Sequence, residues 1–473
     1  MKIHDTLCGI RKDIIISDMI RIYLCGVTVY DESHIGHART IVVFDVLRRF
    51  LEHSGGIVQM IQNFTDIDDK IIRRADAENV TAEEISRRYI SKYFEDFDKL
   101  NVKRATAYPK ATEHVEDIIK FILDLIEKKH AYTAKNGVYF SVSNFSEYGK
   151  LSKKNIEQLQ SGARVEIDES KVDPLDFALW KLADSGPVWN SPWGKGRPGW
   201  HIECSTMCAK YLGGHIEIHG GGRDLIFPHH ENEIAQSESH DDMPLAKVWM
   251  HVGMVTINGE KMSKSIGNIR SLQHVLNDWG PNVTRLFCLS GHYSKPIDYS
   301  EDLLRESLTR WRQAEVCFYE ARQASIKTDS SILQDIRNCV QNFDSALEND
   351  FNTHLALSAF FLLAREVNQS AAKGNLGMDD ARAARDEFER MSEILGLRFS
   401  KLDDMQESEI GALVSEREHL REMKCFEDAD KIRQRLDMMG IEIIDHGKKT
   451  TWVKREKIKS DNDLGSSPNS ELG

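Results

Sequence analysis

Apolar residues fall along this chain in short continuous blocks and in stripes at helical spacing. Residues 21–27 (Arg-Ile-Tyr-Leu-Cys-Gly-Val) are short and largely apolar, which predicts a buried strand. A polar turn around Asp31–Ser33 follows, and then Ile41, Val42, Val46, Leu47 and Phe50 repeat at helical spacing. Ile57–Ile61, after Gly55-Gly56, predicts a second strand. Strand, helix, strand in that order is a βαβ unit, which implies a parallel sheet with a right-handed crossover. Residues 81–100 and 113–130 predict helices; the second sets Val115, Ile118, Ile119, Ile122, Leu125 and Ile126 on one face. Residues 184–200 form a Gly-, Pro- and Trp-rich loop, of a length that inside a domain points to function. From 301 to 397 the pattern is helical throughout, which predicts a helix bundle, and 408–437 continues as helix. Ile441–Ile444 and Thr451–Val453 predict two short strands around a turn at Gly447. From Ser460 on, Ser, Asn, Asp and Gly dominate and predict disorder. There is no internal repeat.

A chain of 473 residues is too long for one core and fits two to four domains. With 41% hydrophobic and 29% charged residues it has the composition of a soluble globular protein. No apolar run approaches the ~20 residues that span a bilayer. The first twenty residues place Asp13 and Asp18 around Ile14-Ile15-Ile16 and do not read as a signal peptide, so a cytoplasmic protein is expected. The eight cysteines are scattered without a C-x-x-C pair, which favours free, metal-bound or catalytic thiols over disulfides. The net charge of −13 argues against a uniformly nucleic-acid-coated surface and leaves room for a local basic one.

Two polar strings carry candidate chemistry. In His34-Ile35-Gly36-His37 the histidines, three apart just after a strand, would share one side of the first turn of the next helix. A helix N-terminus offers free N–H donors and a positive dipole end, which suits a triphosphate. Gly36 removes a side chain where a nucleotide base needs close approach. Lys261-Met262-Ser263-Lys264-Ser265 follows Asn258-Gly259, a turn signal, and two lysines on a loop can close over a departing pyrophosphate. Alone, each string reads as ordinary surface. Together, in this order and this far apart, they resemble the HIGH and KMSKS signatures of class I aminoacyl-tRNA synthetases. That resemblance implies that His34, His37, Lys261 and Lys264 stabilise the transition state in which an amino-acid carboxylate attacks the α-phosphate of ATP carried with Mg²⁺. It also implies that Gly36 lines the ATP site and that Gly222 and Asp224, in Gly220-Gly221-Gly222-Arg223-Asp224, contact the ribose.

His229 and Glu233, in Phe227-Pro228-His229-His230-Glu231-Asn232-Glu233, are i and i+4 on a predicted helix whose first position suits Pro228. Cys25 ends the first strand, and Cys204 follows the Trp-rich loop. In a doubly wound sheet the strand ends converge on one crevice. Two thiolates, an imidazole and a carboxylate would make a tetrahedral zinc site. Cys208, one turn after Cys204, reads as a small buried residue.

Leu24–Asp31, Asn63–Lys70, Gly199–Ser205 and Phe227–Gln236 closely resemble the cysteinyl-tRNA synthetase family, and the likeness runs from about residue 20 to 455. It implies one zinc ion per subunit held by Cys25, Cys204, His229 and Glu233, with Thr65 and Trp200 lining the amino-acid pocket. Zinc binds thiolate strongly and serine hydroxyl poorly, so one metal would separate L-cysteine from serine without an editing site. Glu233 is the hardest of the four ligands and the one expected to loosen when substrate thiolate arrives. The implied fold is an α/β Rossmann-type catalytic domain on a parallel sheet (1–110 and 196–245) with an inserted connective domain (111–195). A KMSKS and stem-contact region (246–300), an α-helical bundle (301–400), a small α+β anticodon-binding domain (401–457) and a disordered tail (458–473) follow.

The implied partners are tRNA(Cys), ATP and L-cysteine, with no membrane and a monomeric state. From Arg417 to Lys459, 12 Lys and Arg stand against 9 Asp and Glu. Lys448, Lys449, Lys454, Arg455, Lys457 and Lys459 cluster around Trp452, as loop recognition in RNA needs. A ligase of mycothiol synthesis with the same catalytic domain would lack this C-terminal end. A non-catalytic cysteine- or RNA-binding relative would not need both lysines and both histidines. A methionine- or leucine-type synthetase would have no use for the four metal ligands.

Overall fold

In the computed structural model, which describes residues 1–16, 19–154, 170–262, 270–324, 331–446, 449–455 and 458, the apolar blocks do form a parallel sheet. Its strands are β1 (Met19–Thr28), β2 (Ile57–Thr65), β3 (Ile216–Gly222) and β4 (Ala246–Val252), in the order β4-β3-β1-β2. All three pairings are parallel. Helix α1 (Ile35–His53) crosses from β1 to β2, and its stripe of Ile41, Val42, Val46, Leu47 and Phe50 is buried. The βαβ expectation therefore holds, with both strands longer than the apolar blocks suggest.

Between β2 and β3 the chain leaves the sheet. Helices Asp69–Glu78, Ala82–Lys99 and Val115–Glu127 lead to a separate antiparallel sheet of Ala131–Ala134, Gly137–Phe140, Phe177–Leu182 and Gly196–Pro198. This sheet has its own core, in which Ile118, Phe140, Leu179 and Trp180 are fully buried. The Trp-rich loop ends by pairing with that sheet and enters helix α2 (Trp200–Leu212) directly. Helix α3 (Glu231–Asp241) then links β3 to β4.

The bundle comprises helices Glu301–Gln323, Leu333–Glu348, Thr353–Ala372 and Met378–Leu395. The stretch expected as one helix over 408–437 is two, Asp404–Glu422 and Phe426–Met438. Lys424 breaks it in the left-handed region, with φ of 61°. The Cys425 N–H returns to the Leu420 carbonyl and satisfies the helix end, so no glycine or proline marks the break. Strands Ile441–His446 and Lys449–Lys454 form the expected hairpin; Gly447 lies outside the described residues. Ile458, the first residue of the expected tail, is buried, and the remainder of that tail is outside the described residues. No helix among the described residues is long and apolar enough to cross a membrane.

Bundle and catalytic sheet share one continuous core and a buried polar seam. Arg285, fully buried, donates to the carbonyls of Leu100 and Leu395 and to Asp45 on α1. Beside it, Asn101 donates to the Gly396 carbonyl, and Asn282 exchanges two hydrogen bonds with Arg398.

A bidentate ion pair, Arg417 to Asp445 at 2.8 and 2.9 Å, ties the C-terminal hairpin to the helix Asp404–Glu422. The hydrogen bond from Arg417 holds the Asp445 carboxyl well below the usual carboxylate range. A carboxylate depressed in the folded state stabilises it above the unfolded value of about 4 and loses that contribution as pH falls below it. Asp445→Asn is expected to cost about 1–2 kcal/mol at pH 7, and the difference from wild type should shrink steadily below pH 4. Denaturant melts of both proteins at pH 7 and pH 3.5 measure this; a pH-independent gap would contradict it.

Candidate active site

Cys25 sits on β1 where its register with β2 slips between Leu24 and Val27. The slip needs Gly26, because a Cβ there would lie 1.6 Å from the Asn63 carbonyl oxygen; instead the Gly26 N–H donates to Asn63 Oδ1 at 2.9 Å. Cys204 lies in the second turn of α2. His229 precedes α3 in a tight turn that follows the extended residue Phe227 and a cis Phe227–Pro228 peptide, and Glu233 lies in the first turn of α3. Ligand atoms of Cys25, Cys204, His229 and Glu233 all fall within 4.8 Å of one another, and all four residues are buried. The four residues expected as a set do converge, on the sheet face where strand ends meet.

Their electrostatics suit a cation. The neighbouring Cys25 side chain lowers the Cys204 thiol to about 6, so Cys204 is a thiolate at neutral pH. Burial pushes the Cys25 thiol well up, and its Sγ–H donates to Glu233 Oε1 at 3.1 Å. Burial opposes charge on His229, yet the Glu233 carboxylate and the Cys204 thiolate outweigh it and raise the imidazole to about 10. Burial likewise opposes charge on Glu233, but His219 and His229 hold its carboxyl well below the usual range. Two soft sulfurs, one imidazole and one carboxylate, buried and mutually within reach, fit zinc.

The nucleotide candidates flank this set. His34 is the N-cap of α1: its Nδ1 accepts from Gly36 and His37 N–H, and His37 Nδ1 accepts from the His34 N–H in return. Both Nδ1 atoms are thus acceptors, which leaves the ring proton of each on Nε2. The rings stack with centroids 3.7 Å apart. The expectation of free first-turn amides is corrected here, since the N–H of Ile35 donates to the Arg270 carbonyl and the next two are taken by His34. The donors α1 can offer an anion are imidazoles.

A Cβ on Gly36 would lie 3.3 Å from Met262 Cε, so the two motifs meet at that glycine. Lys261 Nζ stands 3.8 Å from Asp224 Oδ2, and a Cβ on Gly222 would lie 2.5 Å from Asp224 Oδ1. Lys264 lies outside the described residues. Trp200 stacks on His229 with ring centroids 4.3 Å apart, and Thr65 is buried at the end of β2.

The sequence matches the family described as tRNA synthetases class I (C) catalytic domain over residues 12–309, and the DALR domain over 342–400. It is 44% identical to a cysteine–tRNA ligase of Carboxydothermus hydrogenoformans, across 96% of this chain and 100% of that one. It is also 44% identical to that of Caldicellulosiruptor saccharolyticus, across 97% and 100%.

The chain belongs to the cysteine–tRNA ligase family.

Among solved structures, methionyl-tRNA synthetase of Mycobacterium tuberculosis bound to methionyl-adenylate superposes with a TM-score of 0.60 at 15% identity, covering 80% of this chain and 89% of that one. A putative arginyl-tRNA synthetase from Campylobacter jejuni gives 0.55 at 14% identity, covering 80% and 93%. At such identities these show a shared fold. As a class I synthetase, the ligase works on ATP and tRNA, and its described part includes a Cys/His/Glu cluster able to hold a metal.

Sequence reasoning missed the histidines around that cluster. His201 Nδ1 is 2.9 Å from His229 Nδ1, which turns His229 Nε2 toward Glu233 Oε1 at 3.0 Å. On the other side, His219 Nε2 is 3.1 Å from Glu233 Oε2. His219 stands in register between Tyr23 and Trp249, on the same strand face as Cys25. The alternation along β1 and β3 carries this signal once strand pairing is known; no short motif does. Trp452 needs correction too. It is buried against Tyr319, and its backbone exchanges hydrogen bonds with Gln323, so it packs the hairpin and is no platform for a base. Cys208 is fully buried, as expected.

Proposed function

We propose that this ligase activates L-cysteine with ATP and transfers it to the 3′ end of tRNA(Cys), with Cys25, Cys204, His229 and Glu233 as the ligands of one zinc ion. Bound there, zinc would supply a thiolate-selective Lewis-acid contact for the substrate side chain. The observation that carries this reading is the convergence of two cysteines with His229 and Glu233 in one buried cluster. A methionine or leucine side chain offers nothing for such a cluster to bind as an anion.

The chain's own residues divide the remaining work. Thr65 and Trp200 line the amino-acid pocket, Trp200 through its stack on His229. The substrate carboxylate attacks the α-phosphorus, the bond to the β-phosphate oxygen breaks, and pyrophosphate leaves. No general base is needed, because the nucleophile is already an anion. The Nε2–H groups of His34 and His37 donate to the charge that builds on the phosphoryl oxygens, and Lys261 and Lys264 neutralise the departing pyrophosphate. Gly222 and Asp224 hold the ribose and Gly36 lines the ATP site. In the second step a ribose hydroxyl of the tRNA attacks the acyl carbon and AMP leaves. The 401–457 segment contacts the anticodon, and the chain acts as a cytoplasmic monomer with the domain division given above.

The test is tRNA charging by zinc-loaded protein with ATP, Mg²⁺, total tRNA and labelled cysteine, with serine as control. Cysteine-specific label in acid-precipitable tRNA is expected. Cysteine-dependent pyrophosphate exchange without tRNA label would move the acceptor elsewhere.

Zinc loading should also release protons. At pH 7.5 Cys204 and Glu233 are already anions, whereas Cys25 and His229 each carry a proton that must leave. About two protons per ion are expected, so apparent affinity should rise about 100-fold per pH unit near neutrality. Calorimetry in buffers of different ionisation enthalpy counts them; release near zero would contradict the protonation states given above.

A further inference from the structure

Arg39 lies on α1 two residues beyond His37 and is fully buried. No carboxylate pairs with it among the described residues. Its Nη1 donates to the carbonyls of Gly253 and Met254 at 2.8 and 3.0 Å, and its Nη2 to those of His292 and Lys295 at 3.2 and 2.6 Å. Burial draws the guanidinium down to about 10, so it remains charged at neutral pH. A buried cation is a costly way to fill space. What a guanidinium offers beyond packing is a rigid fork that fixes several acceptors at once.

The two segments it grips form one body. Gly253 N–H donates to the Tyr293 carbonyl and Ile297 N–H to the Met254 carbonyl, and strand Val255–Ile257 pairs with Ile297–Asp298. On its other edge the same strand pairs with Glu260–Lys261, the root of the KMSKS segment. The far root is tied to α1 as well. Ile35 N–H donates to the Arg270 carbonyl, Leu272 N–H to the Ser33 carbonyl, and Ser271 Oγ to Glu32. Both ends of the lysine-bearing segment are thereby referenced to the helix that carries His34 and His37.

We propose that Arg39 is a positioning residue for adenylate formation, fixing the near root of the KMSKS segment against the helix bearing the two histidines. This rests on the reading of both motifs as the ATP site. Charge on the phosphates is then met from two sides, and Arg39 fixes the side from which Lys261 projects. The transfer step, in which pyrophosphate has already left, does not depend on that separation.

The test uses Arg39→Met and Arg39→Lys in the full chain, comparing two half-reactions. One is cysteine-dependent pyrophosphate exchange. The other is single-turnover transfer to tRNA(Cys) from adenylate accumulated on the enzyme with pyrophosphatase present. Exchange kcat should fall about 100-fold in Arg39→Met, the usual cost of displacing catalytic groups by about 1 Å, and less in Arg39→Lys. KM for cysteine, zinc content and the transfer rate should stay within about threefold, since no group serving them moves. Equal losses in both half-reactions, or an unchanged exchange rate, would overturn the proposal. If Arg39→Met does not fold, Arg39→Lys carries the comparison. Wild-type protein without cysteine-dependent exchange would sink the ligase reading itself.

Discussion

Cysteine-dependent pyrophosphate exchange is expected to fall about a thousandfold when Cys204 is replaced by alanine, about 4 kcal/mol in transition-state terms. Its neighbour Cys25 lowers the Cys204 thiol to about 6, so under the proposed zinc site Cys204 is the ligand that meets a cation already ionised at neutral pH. Its loss leaves Cys25 protonated by burial, and Glu233 bonded to two histidines that no longer compete with a metal. Zinc measured by atomic emission after dialysis should be near zero. Glu233→Ala should retain more zinc than Cys204→Ala, because it removes the hardest ligand and spares both sulfurs. Equal zinc loss in the two variants would contradict that ranking. A Cys204→Ala protein that still discriminates cysteine from serine would remove the metal from the selectivity argument altogether.

His34→Ala and His37→Ala are each expected to lower exchange kcat by about 100-fold, with a combined loss near a thousandfold. The reciprocal cap explains why the pair acts as a unit. Each ring's Nδ1 is committed to a backbone N–H at the start of α1, so the ring proton of each is left on Nε2. Removing His34 also removes the cap, which alone costs about 1 kcal/mol of stability. The measurement must therefore separate catalysis from folding. His34→Gln restores a side-chain amide donor without the ring, and should recover part of the rate if donation matters. Thermal midpoints within a few degrees of wild type, with KM for ATP little changed, are expected throughout. A large rise in KM with unchanged kcat would assign the histidines to ground-state binding instead.

Much of the catalytic fold is legible because burial on both faces of a parallel sheet leaves continuous apolar blocks. Residues 21–27, the stripe from Ile41 to Phe50 and the block from Ile57 are enough to imply β1, α1 and β2. The proposed metal ligands are legible for a different reason. His229 and Glu233 advertise themselves by helical spacing, whereas Cys25 and Cys204 become candidates only because strand ends must converge. What stays hidden is what depends on partners distant in sequence. His219 is one histidine in a strand until its register against Tyr23 and Trp249 puts it on the Cys25 face. Trp452 beside lysines suggests an RNA platform, but the side chain is spent on packing against Tyr319. The break at Lys424 is silent because a lysine in the left-handed region leaves no compositional mark.

The seam around Arg285 bears on how such a protein can be inherited. Its guanidinium reaches from Asp45 and the Leu100 carbonyl to the Leu395 carbonyl, and Asn101 and Asn282 stitch the same junction. A gene fragment ending near codon 300 would encode a catalytic half with one wall of its interior missing and polar groups facing the gap. The two halves are therefore poor candidates for recombination as interchangeable cassettes, and a swap of the helical half would have to carry residues 395–398 matched to the recipient's Asn101, Asn282 and Arg285.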